Sequence, residues 1–217
     1  DLRKLVEPGK ATTDASLYRT FVGKLLYPAN LTRPDLSPTV GCLARYMDNP
    51  GAHQNMVMVK RTLCYLKGTT DRGLLYRRGA VTDMSRALVA FSDSDLDDHR
   101  STTGYCTFLG ECLIAWKAIK QDITALSSTH AEYVALAFTS VCLVSQRPTE
   151  GDWLCTSEAT TIFVDNISAI HIAEGATKKS KFIDIKFHFI RDDCIAKGHV
   201  RVIHIPSEEN LADLFTK

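Results

Sequence analysis

The feature that most constrains this chain is a set of four acidic residues in segments that are otherwise apolar. Asp93 and Asp165 follow apolar runs with β character, so each is predicted to stand at the end of a buried strand. Glu132 and Asp213 lie in apolar stretches with helical character. A carboxylate near a core costs several kcal/mol unless it is paired or binds a metal. No matching buried bases accompany these acids, so the sequence predicts a Mg²⁺ or Mn²⁺ site.

Composition limits the other functions open to the chain. Its 217 residues are enough for one domain or two small ones, and a net charge of +1 creates no general attraction for nucleic acid. The seven cysteines form no CxxC pair, which favours reduced thiols inside a cell over disulfides or a zinc site. No signal peptide or apolar run of about 18 residues is present, so no membrane partner is expected. Because the chain does not begin with Met, we expect a fragment of a longer protein.

The first third of the sequence predicts a helical segment, residues 1–80. A helix over 14–27 begins at Asp14 or Ser16 and ends before Pro28. Two further helices are predicted over about 36–47 and 53–67. The predicted inward-facing residues of the first and third helices are Leu17, Phe21, Leu25, Leu26, Met56, Val59, Leu63 and Leu66.

The remaining residues, 81–217, predict a mixed α/β domain. A short strand at Leu74-Leu75-Tyr76 precedes it, and Thr129 with Glu132 has the spacing of a helix capping box. Three antiparallel strands followed by alternating helices and strands indicate one mixed sheet with flanking helices. The predicted strands are 87–93, 103–109, 112–118, 161–165 and 200–205, and the predicted helices are 129–143, 167–174, 184–196 and 208–216.

Seven motifs in consistent order resemble a known family. They are FSDSD (91–95), RSTTGY (100–105), WK (116–117), ALSSTHAEY (125–133), FVDNISAI (163–170), DIKFHFIR (184–191) and LADLFTK (211–217). This part of the chain resembles the ribonuclease H domain of Ty1/copia-type retrotransposon Pol polyproteins. The upstream motifs YRTFVG (18–23), TRPD (32–35) and RTLCYLKGT (61–69) resemble the helical segment that connects reverse transcriptase to that domain.

The resemblance implies a fold, an activity and a set of partners. It implies a five-stranded ribonuclease H-like sheet and a metal-dependent endonuclease that cuts the RNA strand of RNA–DNA hybrids. By motif, Asp93, Glu132, Asp165 and Asp213 match the four acids that hold two Mg²⁺ ions in the family, with Mn²⁺ as an alternative. The implied partners are the hybrid and the rest of Pol, including the reverse transcriptase palm and integrase. The implied location is intracellular, in a cytoplasmic virus-like particle, in the nucleus, or in both.

Several polar residues are candidates for contact with the substrate. One group, Ser94, Ser127, Ser128 and Asn166, flanks the acids and could bind sugar or phosphate, although the serines could equally cap the helix. A basic group consists of Arg100, Lys178, Lys179 and Lys181, and its lysine run could equally be a solvated loop. His204 is a possible auxiliary residue for proton transfer, but it precedes Pro206 in a strand, whereas the family's histidine is in a loop.

One segment departs from the family pattern and leaves a second hypothesis open. Residues 140–159 contain Pro148 and Gly151 where relatives continue a helix, and an interior proline costs a helix about 3 kcal/mol. The chain could therefore be a catalytically inactive remnant that acts at most as a nucleic-acid-binding module. A host-adopted interaction protein is a third possibility.

Overall fold

A computed structural model describes residues 14–50, 53–77, 88–96, 100–146, 159–175 and 183–217. These residues belong to two compact units, one that ends at Leu74 and one that runs from Leu75 to Thr216. The domain boundary expected at residues 80/81 lies outside the described residues.

The described part of the N-terminal unit contains three α-helices and the 3₁₀ turn Pro34–Leu36. Asp14 caps the first helix by accepting hydrogen bonds from the backbone amides of Ser16, at 2.9 Å, and Leu17, at 3.2 Å. The helices are α1 (Ala15–Leu31), α2 (Ser37–Ala44) and α3 (His53–Gly68). Their shared core consists of Tyr18, Val22, Leu25, Ala29, Leu36, Val40, Leu43, Met56, Met58 and Val59.

The prediction that Pro28 ends α1 is wrong, because the helix continues to Leu31. Proline removes only one backbone donor, and the Pro28 carbonyl accepts hydrogen bonds from the amides of Thr32, at 3.0 Å, and Arg33, at 2.7 Å. Burial of Ala29 in the core of the unit supports this last turn.

The inward face of α1 also differs from the prediction. Leu17 is 46% exposed, and Tyr18 is fully buried in its place. The Tyr18 hydroxyl donates a hydrogen bond to the Leu43 carbonyl at 2.8 Å, so this aromatic side chain satisfies its polar atom within the core. The apolar pattern alone favoured leucine and missed the tyrosine.

A buried arginine links the 3₁₀ turn to the C-terminal end of α3. Arg33 is 5% exposed, and its guanidinium donates to the Thr69 carbonyl at 2.9 Å and to the Thr69 hydroxyl at 2.7 Å. The same group contacts both carboxylate oxygens of Asp35, at 3.0 and 2.8 Å. Tyr65 donates its hydroxyl to Asp35 at 2.7 Å, which completes the network.

The second unit is built on a five-stranded sheet in the order β3-β2-β1-β4-β5. Strands β1, β2 and β3 pair antiparallel, whereas β4 pairs parallel with both β1 and β5. This arrangement confirms the predicted mixed sheet. The strands are β1 (Leu88–Asp95), β2 (Thr102–Leu109), β3 (Cys112–Lys120), β4 (Thr160–Val164) and β5 (Val200–His204).

Two α-helices, α4 (Ser128–Gln146) and α5 (Ile167–Ala173), contribute to the core of this unit. Strand β1 packs against α4, where the hydroxyl of Thr139 donates to that of Ser92 at 3.1 Å. The largest fully buried apolar side chains of this core are Tyr133, Leu136, Leu143, Ile162 and Ile190. None of the helices described for this chain is both long and apolar enough to span a membrane.

Other predicted elements take a different form. The predicted helix over 184–196 is a 3₁₀ turn, Ile185–His188, followed by a π-helix, Ile190–Ile195. Ile190 and Cys194 are buried, and Tyr133 and His188 share a hydrogen bond at 3.0 Å. These contacts constrain how the segment packs. The predicted strand at Leu74-Leu75-Tyr76 is not formed.

The predicted final helix over 208–216 is two 3₁₀ turns, Ser207–Glu209 and Leu211–Phe215. Asn210 between them is extended, and its side chain donates to the Ser92 carbonyl at 3.0 Å and accepts from the Ala212 amide at 3.1 Å. Because this side chain anchors the backbone to β1, one continuous helix cannot form.

Candidate metal centre

The site is at the edge of the sheet where β1 and β4 lie side by side. Phe91 and Phe163 are paired in the parallel register of these strands. Asp93 and Asp165 each follow two residues later, so the pairing brings both carboxylates to the same edge. The sequence predicted only that each acid stands at a strand end, and the register shows that these two ends are neighbours.

Glu132 reaches the same edge from the first turns of α4. The predicted capping box is wrong: the Ser127 hydroxyl accepts from the His130 amide at 3.2 Å, and the helix already includes Thr129. The Glu132 carboxylate instead turns to the sheet, where Oε1 accepts from the Ser94 amide at 3.1 Å. The capping-box spacing could not predict this contact, because Ser94 is far from Glu132 in sequence.

The three carboxylates form one compact cluster. Asp93, Glu132 and Asp165 each offer an oxygen, and these oxygens all lie within 4.8 Å of one another. Asp93 and Glu132 are each only 6% exposed. Burial, together with repulsion from Asp93 and Asp165, raises the pKa of Glu132 to about 9, against a smaller opposing effect of the Ser94 hydrogen bonds.

These residues fit a divalent cation. The donors are all carboxylate oxygens, the ligands that hard cations prefer. Glu132 Oε2 is buried and has no hydrogen-bond partner, so it is available as a ligand. A cation would also remove the repulsion among three carboxylates held this close together.

The fourth predicted acid, Asp213, does not belong to this cluster of three. It lies on the Leu211–Phe215 turn, which packs against β1 and β2. Gly104 permits the close approach: a Cβ at this position would lie 2.7 Å from the Ala212 carbonyl oxygen. The turn that carries Asp213 is therefore held against the strand that carries Asp93.

The last turn also supplies a contact that the sequence analysis missed. The Thr216 hydroxyl donates to Asp93 Oδ2 at 2.5 Å and lies 3.1 Å from the Asp213 carbonyl oxygen. The sequence signal for this contact was the spacing, because Thr216 follows Asp213 by three residues, about one turn of a 3₁₀ helix.

The predicted substrate contacts are distributed around this edge. Ser127 and Ser128 are exposed at the start of α4, and Arg100 is exposed just before β2. Asn166 caps α5 by accepting from the Ala169 amide at 3.0 Å. His204 is exposed at the end of β5, where it pairs with Val164. The predicted phosphate-binding lysines, Lys178, Lys179 and Lys181, lie outside the described residues.

Comparison with known proteins connects this architecture to retrotransposon proteins, although no family model matches the chain. The retrovirus-related Pol polyprotein from transposon RE2 of Arabidopsis thaliana is 36% identical over 225 residues, covering 96% of this chain. The chain spans only 14% of the length of that relative.

Two solved structures are similar to this chain at low sequence identity, and the first of them shares its fold. A foamy viral protease-reverse transcriptase, solved with an RNA/DNA hybrid, matches with a TM-score of 0.60 at 12% identity, covering 98% of this chain and 27% of the viral one. LC11-RNase H1, also solved with an RNA/DNA hybrid, covers 58% of this chain and 91% of its own, with a TM-score of 0.46 and 20% identity.

The chain is therefore a homologue of one segment of the Pol polyproteins of Ty1/copia-type retrotransposons, and its second unit has a ribonuclease H-like fold.

Proposed function

We propose that the chain is a divalent-metal-dependent ribonuclease H that hydrolyses the RNA strand of RNA–DNA hybrids as part of a Pol polyprotein. The observation that carries the proposal is the convergence of Asp93, Glu132 and Asp165, whose oxygens lie within 4.8 Å of one another. The reverse transcriptase palm and integrase are the partners that we propose within the polyprotein. The proposed location is a cytoplasmic virus-like particle, the nucleus, or both.

Each acid has a distinct role in the proposed site. Asp93 and Asp165, on neighbouring strand ends, would be ligands of two Mg²⁺ ions, with Mn²⁺ as a substitute. Glu132, through its buried Oε2, and Asp213 would complete the set of ligands. Bound metal would supply an activated water and neutralise the charge on the departing 3′ oxygen. Because burial raises the pKa of Glu132 to about 9, this carboxyl must release a proton when it becomes a ligand near neutral pH.

Recognition of the hybrid rests on polar groups at the edge of the cluster. Ser127 and Ser128 are exposed beside Glu132, and Arg100 is exposed at the start of β2. Hydroxyl groups suit the 2′-hydroxyls and phosphates of an RNA strand, and guanidinium suits phosphate. Ser94, Asn166, Lys178, Lys179 and Lys181 belong to the same proposed set. His204 is proposed only as an auxiliary residue for proton transfer.

The direct test is cleavage of an end-labelled RNA–DNA hybrid by the full chain in Mg²⁺. We expect cleavage that stops when EDTA is added and that leaves the DNA strand and an all-DNA duplex intact. The Asp93→Asn variant is nearly isosteric and removes one ligand charge, so it should bind the hybrid but not cut it. Thr107→Val, a substitution in a buried residue of β2, is the matched control for handling and folding.

The same experiment separates the proposal from an inactive, nucleic-acid-binding remnant. A folded wild-type chain that binds the hybrid as tightly as Asp93→Asn, and that leaves the RNA intact in both Mg²⁺ and Mn²⁺, supports the remnant. Equal cleavage by wild type and Asp93→Asn contradicts the proposed role of the cluster.

A further inference from the structure

The hydroxyl of Thr216 is held between two acids of the proposed metal centre. It donates to Asp93 Oδ2 at 2.5 Å and lies 3.1 Å from the backbone carbonyl oxygen of Asp213. Thr216 is 7% exposed, so little water competes for these contacts. One short side chain therefore connects a cluster carboxylate on β1 to the turn that carries the fourth acid.

The surroundings of Thr216 leave its side chain little freedom to move. Asn210 anchors the start of the turn by donating to the Ser92 carbonyl at 3.0 Å. At the other side, a Cβ on Gly104 would lie 2.8 Å from Thr216 Cγ2 and 2.9 Å from Phe215 Cβ. The methyl group is thus packed tightly against β2, which directs the hydroxyl toward Asp93.

We propose that Thr216 is a positioning residue that fixes the plane of the Asp93 carboxylate for metal binding. A hydroxyl that donates to Oδ2 fixes the direction of one lone pair of this oxygen, and with it the orientation of the carboxylate. It also holds the Asp213 turn in register with Asp93. This inference rests on the proposed function, because it assumes that the acidic cluster binds a divalent cation.

The test is Mn²⁺ affinity, measured by isothermal titration calorimetry on the full chain without nucleic acid. Thr216→Val keeps the shape and removes the hydroxyl, and we expect it to weaken Mn²⁺ binding by about 10- to 100-fold, as is usual when a partner of a metal ligand is lost. Thr216→Ser keeps the hydroxyl and should restore most of the affinity. Thr107→Val is the matched control, because the buried Thr107 Oγ1 has no hydrogen-bond partner, and its Mn²⁺ affinity should equal that of wild type.

A purely structural role for Thr216 predicts a different pattern. In that case Thr216→Val would lower the unfolding temperature in EDTA but leave Mn²⁺ affinity unchanged, and this result would overturn the inference while the proposed function stands. Failure of wild type itself to bind Mn²⁺ would overturn both. If Thr216→Val does not fold, the Mn²⁺ affinities of Thr216→Ser and Thr216→Ala are compared instead. Equal affinities of these two variants would overturn the inference.

Discussion

The protonation of Glu132 depends strongly on its surroundings. Burial and the neighbouring carboxylates raise its pKa from an ordinary 4.5 to about 9. Between these two pH values the folded chain keeps a proton that the unfolded chain releases. The free energy of unfolding contributed by this group is therefore fully present below the lower pKa and is lost as pH rises toward the higher one.

We expect the metal-free chain to lose stability as pH rises through this window, by at most about 1.4 kcal/mol per pH unit from this group. Glu132→Gln removes the titration and should give a flatter stability profile, with a higher free energy of unfolding at alkaline pH. The measurement is urea unfolding in EDTA at several pH values. Parallel profiles for wild type and Glu132→Gln would contradict the raised pKa.

Gly104 is important because it lacks a Cβ atom. A Cβ here would meet the Ala212 carbonyl oxygen at 2.7 Å, closer than side-chain carbons approach backbone. We expect Gly104→Ala to displace the Leu211–Phe215 turn, to cost roughly 1–3 kcal/mol of stability as overpacking does, and to weaken Mn²⁺ binding.

Gly23 is the matched control, because nothing lies within 4 Å of a Cβ at its position in α1. Gly23→Ala should stabilise the helix by up to about 1 kcal/mol and leave Mn²⁺ affinity unchanged. Equal behaviour of the two variants in both assays would show that the close approach at Gly104 has no consequence.

At the scale of elements, Arg33 determines how the 3₁₀ turn joins the end of α3. Its planar guanidinium contacts Asp35 and both oxygens of Thr69, a geometry that a lysine ammonium cannot reproduce. We expect Arg33→Lys to destabilise the N-terminal unit by roughly 1.5–3 kcal/mol, the usual range for hydrogen bonds to charged groups.

Thermal unfolding followed by circular dichroism measures this effect, with Arg61→Lys on the exposed surface of α3 as the control. A melting temperature of Arg33→Lys equal to that of the control would mean that the buried network contributes nothing to stability.

Much of the element order could be predicted from the sequence, because apolar periodicity reports which face of a segment is buried. It predicted the five strands and placed Asp93 and Asp165 each at a strand end. It failed where a distant partner decides local structure. Asn210 interrupts the predicted final helix because its side chain donates a hydrogen bond to the Ser92 carbonyl. The Glu132 carboxylate accepts from the Ser94 amide and does not form the predicted capping box. Neither partner is visible within a local window of sequence.

At the scale of the whole molecule, the described residues form two units, each with its own apolar core. The acidic cluster is built entirely from residues of the second unit. We therefore expect a shortened chain beginning at Leu75 to keep the Mn²⁺ affinity of the full chain. We also expect it to bind the RNA–DNA hybrid more weakly, since Lys60, Arg61 and Lys67 of α3 are exposed cations that can contact phosphates.

Fluorescence anisotropy with a labelled hybrid, at two salt concentrations, measures this difference. A smaller salt dependence for the shortened chain is the expected sign of lost phosphate contacts. Identical affinities of the two chains would refute the supporting role of the N-terminal helices, and loss of Mn²⁺ binding would refute the independence of the second unit.

The most direct measurement is anomalous diffraction from crystals of the full chain soaked in Mn²⁺. We predict an anomalous peak bound to oxygens of Asp93, Glu132 and Asp165, at the metal–oxygen distances of about 2.0–2.6 Å typical of hard divalent cations. A well-ordered site with no such peak at saturating Mn²⁺, or with these three carboxylates turned apart, would contradict the account.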